Sequence, residues 1–242
     1  VSGCLPDPFD SRDLRYGQVF GGPEPDVRSD LWRPEWDPRN QRRTNRCVGF
    51  TLARTLQVGY FRIGKEVGEF SANDAYFKSR LEHDAEDVDN GTYLRTCFKG
   101  VQKYGCAPEE VRKSSLEDIN TPTTWREQKA AHKFRGLRSY YRIASHGDEL
   151  LREVRLALSQ GFAVAGGFPM PPSFSRYTGG VYDPSDDFEG GLGHAMAVLG
   201  HERDGTFKLE SNYGSSFGEG GFVRVSEEFL TTAWSLWVGD VR

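Results

Sequence analysis

The apolar pattern changes period near the middle of the chain, and that change limits the folds open to it. From Cys47 to about Arg62, apolar positions Val48, Leu52, Leu56, Tyr60 and Phe61 recur at helical spacing, and Gly64 follows as a stop signal. Ser71-Ala72-Asn73-Asp74 has the form of a capping box opening a second helix through Tyr76, Phe77 and Leu81. Asn90-Gly91-Thr92 is a turn signal feeding a third helix that ends at Tyr104-Gly105. The second half reads differently. An amphipathic helix from Asp148 to Gln160, closed by Gly161, precedes two short apolar runs, Phe162–Ala165 and Ala195–Leu199, that read as buried strands. Arg203-Asp204-Gly205 marks a hairpin turn before Thr206–Leu209, and Gly221–Val225 is a further strand. A helical lobe followed by a sheet lobe predicts an α+β protein with a cleft between the two.

The 242 residues, 37% hydrophobic and 13% aromatic, can bury one large core or two packed lobes. Residues 1 to about 36 hold five of the twelve prolines with interspersed charges, and are expected to run as an ordered but irregular strap across the surface. The division expected is a single domain over 1–242: the strap, a helical lobe over about 37–115, and a β-rich lobe over about 116–242.

A net charge of −4 leaves no basic surplus for general phosphate binding, which argues against nucleic acid as a main partner. No run of eighteen apolar residues is present to span a membrane, and Val1-Ser2-Gly3-Cys4 lacks the charged start and apolar block of an export signal. Cys4, Cys47, Cys97 and Cys106 match no four-ligand zinc spacing and leave room for at most one bridge. Cys97 and Cys106 read as buried reduced thiols. Nothing calls for a metal or cofactor.

A cysteine attacks a carbonyl as its thiolate, and a free thiol is mostly protonated at neutral pH. Cys47 falls at a predicted helix start, where unpaired N–H groups and the helix dipole favour the anion. A structural thiol would look the same. An imidazole partner would complete an ion pair and then protonate the leaving group. Of the five histidines, His83 and His132 lie in charged, solvated stretches, His146 precedes a helix, and His201 is expected to point outward. His194 differs: it follows Gly190-Gly191-Leu192-Gly193 and opens an apolar strand, at the end of a core element.

Asn40-Gln41, then Cys47 six positions beyond the glutamine, then Val48-Gly49-Phe50, resembles the nucleophile segment of the papain-like cysteine peptidases. The likeness covers about residues 30 to 230. It implies a two-lobed papain-like fold with a helical left lobe, an antiparallel sheet or barrel as right lobe, and the active site between them. It further implies that Cys47 is the nucleophile, that the Gln41 amide and the Cys47 N–H form the oxyanion hole, and that His194, in Gly193-His194-Ala195, is the partner. Preformed donors of that kind typically contribute about 3 kcal/mol each. Asp89-Asn90-Gly91-Thr92 is similar to the cleft-wall turn that pairs with substrate backbone in this family, so Asn90, Gly91 and Thr92 become candidate binding residues. Ala195 would line the second specificity subsite.

Three departures bear on the carry-over. Where the family presents Asn-Ser-Trp-Gly, this chain has Ser211-Asn212-Tyr213-Gly214. Neighbours on a strand face opposite ways, so Ser211 would face His194, unless a bulge brings Asn212 round instead. Arg43-Thr44-Asn45-Arg46 replaces the family's approach to the nucleophile. Thr44 stands at the position of a structural cysteine, and Asn45 can adopt the left-handed backbone usual for glycine there. The arginines at 39, 42, 43 and 46 could tune the thiol or attract acidic substrates; a solvated basic loop is the plainer reading. Val48 replaces a tryptophan. The 46 residues before Cys47 leave no room for the family's long inhibitory propeptide, which is expected either to have been removed or not to be needed.

The leading expectation is a cysteine peptidase acting on peptide or protein substrates through an acyl-enzyme. The alternative is a catalytically impaired papain-like binding module of a larger assembly, its partner unidentified, and a third reading is a related acyl-transfer enzyme. The low cysteine count leans towards a non-secreted bacterial or phage-related setting.

Overall fold

The computed structural model describes residues 3–23, 28–116, 119–183 and 192–242. The strap region supplies β1 (Cys4–Leu5), α1 (Tyr16–Val19) and β2 (Ser29–Asp30). The helical lobe holds α2 (Cys47–Arg62), α3 (Ala72–Leu81), β3 (Thr92–Tyr93) and α4 (Leu94–Tyr104). There follow α5 (Trp125–His132), β4 (Leu137–Arg142), α6 (Gly147–Ser159), β5 (Val164–Met170), β6 (Val181–Tyr182), β7 (Leu192–His201), β8 (Phe207–Glu210), β9 (Phe222–Val225), α7 (Glu227–Thr231) and β10 (Ser235–Val241).

Glycines stop the helices as expected: Gly64, Gly105 and Gly161, which follow α2, α4 and α6, all have positive φ. The capping box before α3 is only half formed. The Ser71 hydroxyl accepts from Asp74 N at 3.0 Å, but the Asp74 carboxylate turns to the Lys78 ammonium at 2.6 Å and Ala107 N at 2.7 Å. Gly49 lets α2 and α3 touch, since a Cβ there would lie 2.4 Å from the Ala72 carbonyl oxygen.

The main sheet runs β4-β10-β5-β7-β8-β9-β6, with β2 alongside β7. Its pairs are antiparallel except β6 with β9, and among the described residues the path is open at β4 and β6. Alternation along the strands divides the core. Val164, Phe168, Met196, Val198, Leu236 and Val238 face α6, while Ala165, Ala195, Trp237 and Val241 join α2 and α4 on the other side. Among the described residues no helix is long and apolar enough to cross a membrane.

The lobes are tied by a buried ion pair. Arg54 of α2 meets Glu210 of β8 in a two-pronged contact at 2.7 and 3.1 Å, with both side chains essentially out of solvent. The remaining capacity is filled: Arg54 also donates to the Gln57 side chain and the Asp37 carbonyl, and Glu210 accepts from Arg39 N.

Candidate active site

Cys47 is the first residue of α2, so its sulfur sits where the helix leaves N–H groups without intrahelical partners. His194 lies on β7 opposite Phe168, and Ser211 and Asn212 directly follow β8. The predicted glycine run before His194 falls partly outside the described residues, at Gly190 and Gly191.

The His194 ring is fixed on two sides. Nε2 lies 2.7 Å from the backbone carbonyl oxygen of Ser211, and Tyr213 stacks on the ring with centroids 4.7 Å apart and planes within 7°. Because a carbonyl only accepts, Nε2 carries the proton in the neutral ring and Nδ1 keeps its lone pair. Nδ1 is buried without a hydrogen-bond partner, so thiol and imidazole are not hydrogen-bonded to each other in this state.

This arrangement corrects the strand-alternation reading, because neither the Ser211 nor the Asn212 side chain reaches the imidazole. The Ser211 hydroxyl donates to the Gly221 carbonyl at 2.8 Å and accepts from Tyr213 N. Asn212 has φ of 62°, a left-handed conformation that ends the strand and presents the preceding carbonyl to the ring. Its side-chain NH2 donates to the Ala195 carbonyl at 2.9 Å and the Thr51 hydroxyl at 3.0 Å, with the Cys47 carbonyl at 3.5 Å.

Gln41 is buried beside these groups. Its backbone N–H donates to the Asn212 carbonyl at 2.9 Å, and its side-chain nitrogen donates to the Thr44 carbonyl at 2.7 Å. One amide hydrogen is therefore spent within the loop and the second is left. Arg39 and Arg46 are also buried, holding the loop to the body of the helical lobe: Arg39 binds the Phe70 carbonyl and Glu109, and Arg46 binds Asn73 and the carbonyls of Ser114 and Ser115. Only Arg42 and Arg43 fit the reading of a solvated basic loop. Left-handed backbone occurs at Arg42 rather than at Asn45, which instead bonds to Asp89.

The largest departure from expectation is the strap. Gly3 to Leu5 do not cross the surface; they lie in the cleft. Gly3 N donates to the Gly193 carbonyl at 3.1 Å, Thr92 N donates to the Gly3 carbonyl at 3.0 Å, and β1 runs parallel to β3. Of the predicted binding turn, Gly91 and Thr92 meet this segment: a Cβ on Gly91 would lie 2.7 Å from the Gly3 oxygen, whereas Asn90 is exposed. Cys4 packs with Cys47, Ala165 and Ala195. Further along, the Asp7 carboxylate is held by Trp237 Nε1 at 2.7 Å and Arg95 N at 3.1 Å.

Covered this way, Cys47 has 0% and His194 1% of its surface exposed. Burial pushes the Cys47 thiol up to about 12, against the pull of the N–H groups of Ala195, Val48 and Gly3 that face it. Burial likewise lowers the His194 imidazole to about 4, outweighing the Ser211 carbonyl that raises it. Both groups are therefore neutral at neutral pH. All four cysteines are free and buried, so the at-most-one bridge is not formed. Two other histidines also differ from expectation. His201 is buried near Phe207, and His83 is half-buried with Nε2 2.9 Å from the Thr92 hydroxyl.

No protein-family model matches the chain. Among solved structures it is similar to xylellain, a cysteine protease from Xylella fastidiosa, with a TM-score of 0.85, 20% identity, and coverage of 100% of this chain and 96% of that one. Digestive procathepsin L 3 of Tenebrio molitor larval midgut matches at a TM-score of 0.73 with 18% identity, over 95% of this chain and 75% of that one. Bromelain from Ananas comosus, solved with an inhibitor bound, matches at 0.66 with 14% identity, over 86% and 94%. Among curated proteins, an uncharacterized peptidase C1-like protein of Acanthamoeba polyphaga mimivirus is 26% identical over 163 residues, 64% of this chain and 52% of its own. Macrodontain-1 of Ananas macrodontes is 38% identical over 56 residues, 23% of this chain and 25% of its own. The chain thus spans about half the length of the viral relative.

Proposed function

We propose that this chain, which has the papain-like cysteine protease fold, is a cysteine peptidase with Cys47 as nucleophile and His194 as its acid–base partner. The observation that carries the reading is what the cleft holds: a stretch of extended backbone, bonded through main-chain groups to Thr92 and Gly193, lying against Cys47. A cleft built this way accepts a peptide in place of Gly3–Leu5. Gly91 and Thr92 would form one wall, and Ala195 would line the floor near the thiol.

In this reaction the Cys47 proton passes to His194 Nδ1, the nitrogen left bare by the Nε2–H bond to Ser211. The thiolate forms a bond to the substrate carbonyl carbon, and the oxyanion is met by the Cys47 N–H and the remaining Gln41 amide hydrogen. The C–N bond then breaks as Nδ1–H protonates the leaving amine. Water, deprotonated by the same nitrogen, attacks the thioester and releases the carboxylic acid and the thiol. The helix start and the surrounding N–H groups favour the thiolate once water reaches the site. Departure of Gly3–Leu5 is thus needed both for access and for ionisation.

The test is covalent labelling. After displacement of the strap, a thiol-directed epoxide should modify Cys47 stoichiometrically and abolish peptide hydrolysis, with the adduct located by mass spectrometry. Hydrolysis persisting in Cys47→Ala would refute the assignment.

A further inference from the structure

We infer that the imidazole is oriented by a main-chain carbonyl, that of Ser211, and that Asn212 is the positioning residue that holds this carbonyl in place. The inference rests on the peptidase reading for its kinetic consequences but not for its geometry. The Ser211 oxygen stands 2.7 Å from Nε2, and the imidazole has no side-chain hydrogen-bond partner among the described residues. Its ring neighbours are Phe174 and Tyr213, and the nearest preceding acid, Glu210, is committed to Arg54. The titratable groups of the covered site are the Cys47 and Cys4 thiols and the Tyr213 phenol, the last stacked on the ring rather than bonded to it.

The carbonyl points at the ring because the next residue is left-handed. A regular strand would continue the alternation and turn this peptide to the neighbouring strand. At Asn212, φ of 62° swings it round instead, and asparagine is among the few residues other than glycine that adopt this conformation readily. The residue then locks the turn to each of the three segments. It donates to Ala195, adjacent to the histidine, and to Thr51 on the helix of the nucleophile, while its backbone carbonyl accepts from Gln41 N. One residue thereby sets the histidine tautomer and the register of the strand, helix and loop that meet there.

The readout is the tautomer of His194, obtained from ring 15N shifts in the full-length chain and assigned by loss of its signals in His194→Gln. The wild type is expected as the Nε2–H form. Asn212→Gly, which tolerates positive φ, should keep that form, and so should Ser211→Ala, which leaves the carbonyl in place. Asn212→Val, which does not tolerate positive φ, should give a mixture. In turnover assays Asn212→Val should lose kcat by roughly a hundredfold, the usual scale of general acid–base catalysis, with little change in KM. The alkaline limb of its pH profile should move to lower pH, because the imidazolium has lost an acceptor.

An Nδ1–H tautomer in the wild type would overturn the inference. So would equal tautomer populations in the glycine and valine variants, or loss of the Nε2–H form in Ser211→Ala. If Asn212→Val does not fold, the wild-type, glycine and alanine spectra still decide. Absence of peptidase activity in every variant once the strap is displaced, with the expected tautomers intact, would instead refute the functional reading alone.

Discussion

Replacing Gly3 by alanine should uncover the nucleophile, and the expected size of the effect follows from the packing. A Cβ at this position would stand 2.0 Å from the Asn45 backbone carbonyl oxygen, in a cleft where the other neighbours, Gly91 and Gly193, are also backbone. No flexible side chain is there to give way, so the strap must shift. Cys47 then regains water. Its thiol, held at about 12 under the strap, returns towards the ordinary range near 8.5 or below. At neutral pH that raises the thiolate fraction at least about a thousandfold, equivalent to about 4 kcal/mol. The assay is the rate of iodoacetamide alkylation at pH 7, followed by intact mass and localised by peptide mapping. Cys106, buried in the helical lobe with its thiol on the Ser71 carbonyl, should stay unreacted in both proteins and serve as an internal control. A wild-type Cys47 that alkylates as fast as a free thiol, or a Gly3→Ala variant no faster than wild type while folded, would refute the link between strap seating and ionisation.

Other outcomes follow from groups described above. Glu210→Ala should destabilise the fold by about 3–5 kcal/mol in urea unfolding, since it leaves Arg54 charged and buried without its partner. His194 should make stability fall with acid: its imidazole is lowered to about 4 when folded against an ordinary value near 6.5, so the folded state loses ground as pH drops between those limits, by up to about 3 kcal/mol. Melting curves of wild type and His194→Gln from pH 7 to 4 should show that difference. Asp7 acts in the opposite sense. Burial raises its carboxyl, so the charged form opposes seating and protonation favours it; seating should tighten as pH falls, and Asp7→Asn should remove that part of the pH dependence of Cys47 labelling.

The parts of this architecture legible in the sequence were those with a strong period. Sixteen residues of α2 carry a helical apolar pattern and a glycine stop, and Cys47 lies at its start as expected. Strands β5, β7, β8 and β9 were readable from short apolar runs between turn signals. Helix α5 is not legible in the sequence, although Thr124 and Glu127 form a complete capping box, because only Ala131 in it is buried. Strand β10 is equally silent: Trp237 and Val241 face one side of the sheet while Leu236 and Val238 face the other, so no apolar–polar alternation marks it.

At the site, residue types were recoverable and backbone direction was not. Alternation assumes a regular strand through Ser211 and Asn212, and one left-handed residue breaks it. Tyr213 stood in the quoted motif, yet its stacking on His194 depends on that same turn. The strap had composition but no period, so nothing in Gly3-Cys4-Leu5 announced that it lies in the cleft. The place of His201 beside a hairpin turn predicts an outward side chain, but the residue is buried near Phe207, where β2 pairs with β7.

The Arg54–Glu210 pair has a consequence for how the cleft opens. It acts as a rivet between the lobes, placed one residue from Ser211, and swinging the lobes apart would strip two charges of their partners while still shielded from water. A jaw-like motion is therefore the expensive route. The cheap one is to peel a few residues of chain out of a fixed slot, which leaves the geometry around Cys47 and His194 as it was before the slot was emptied.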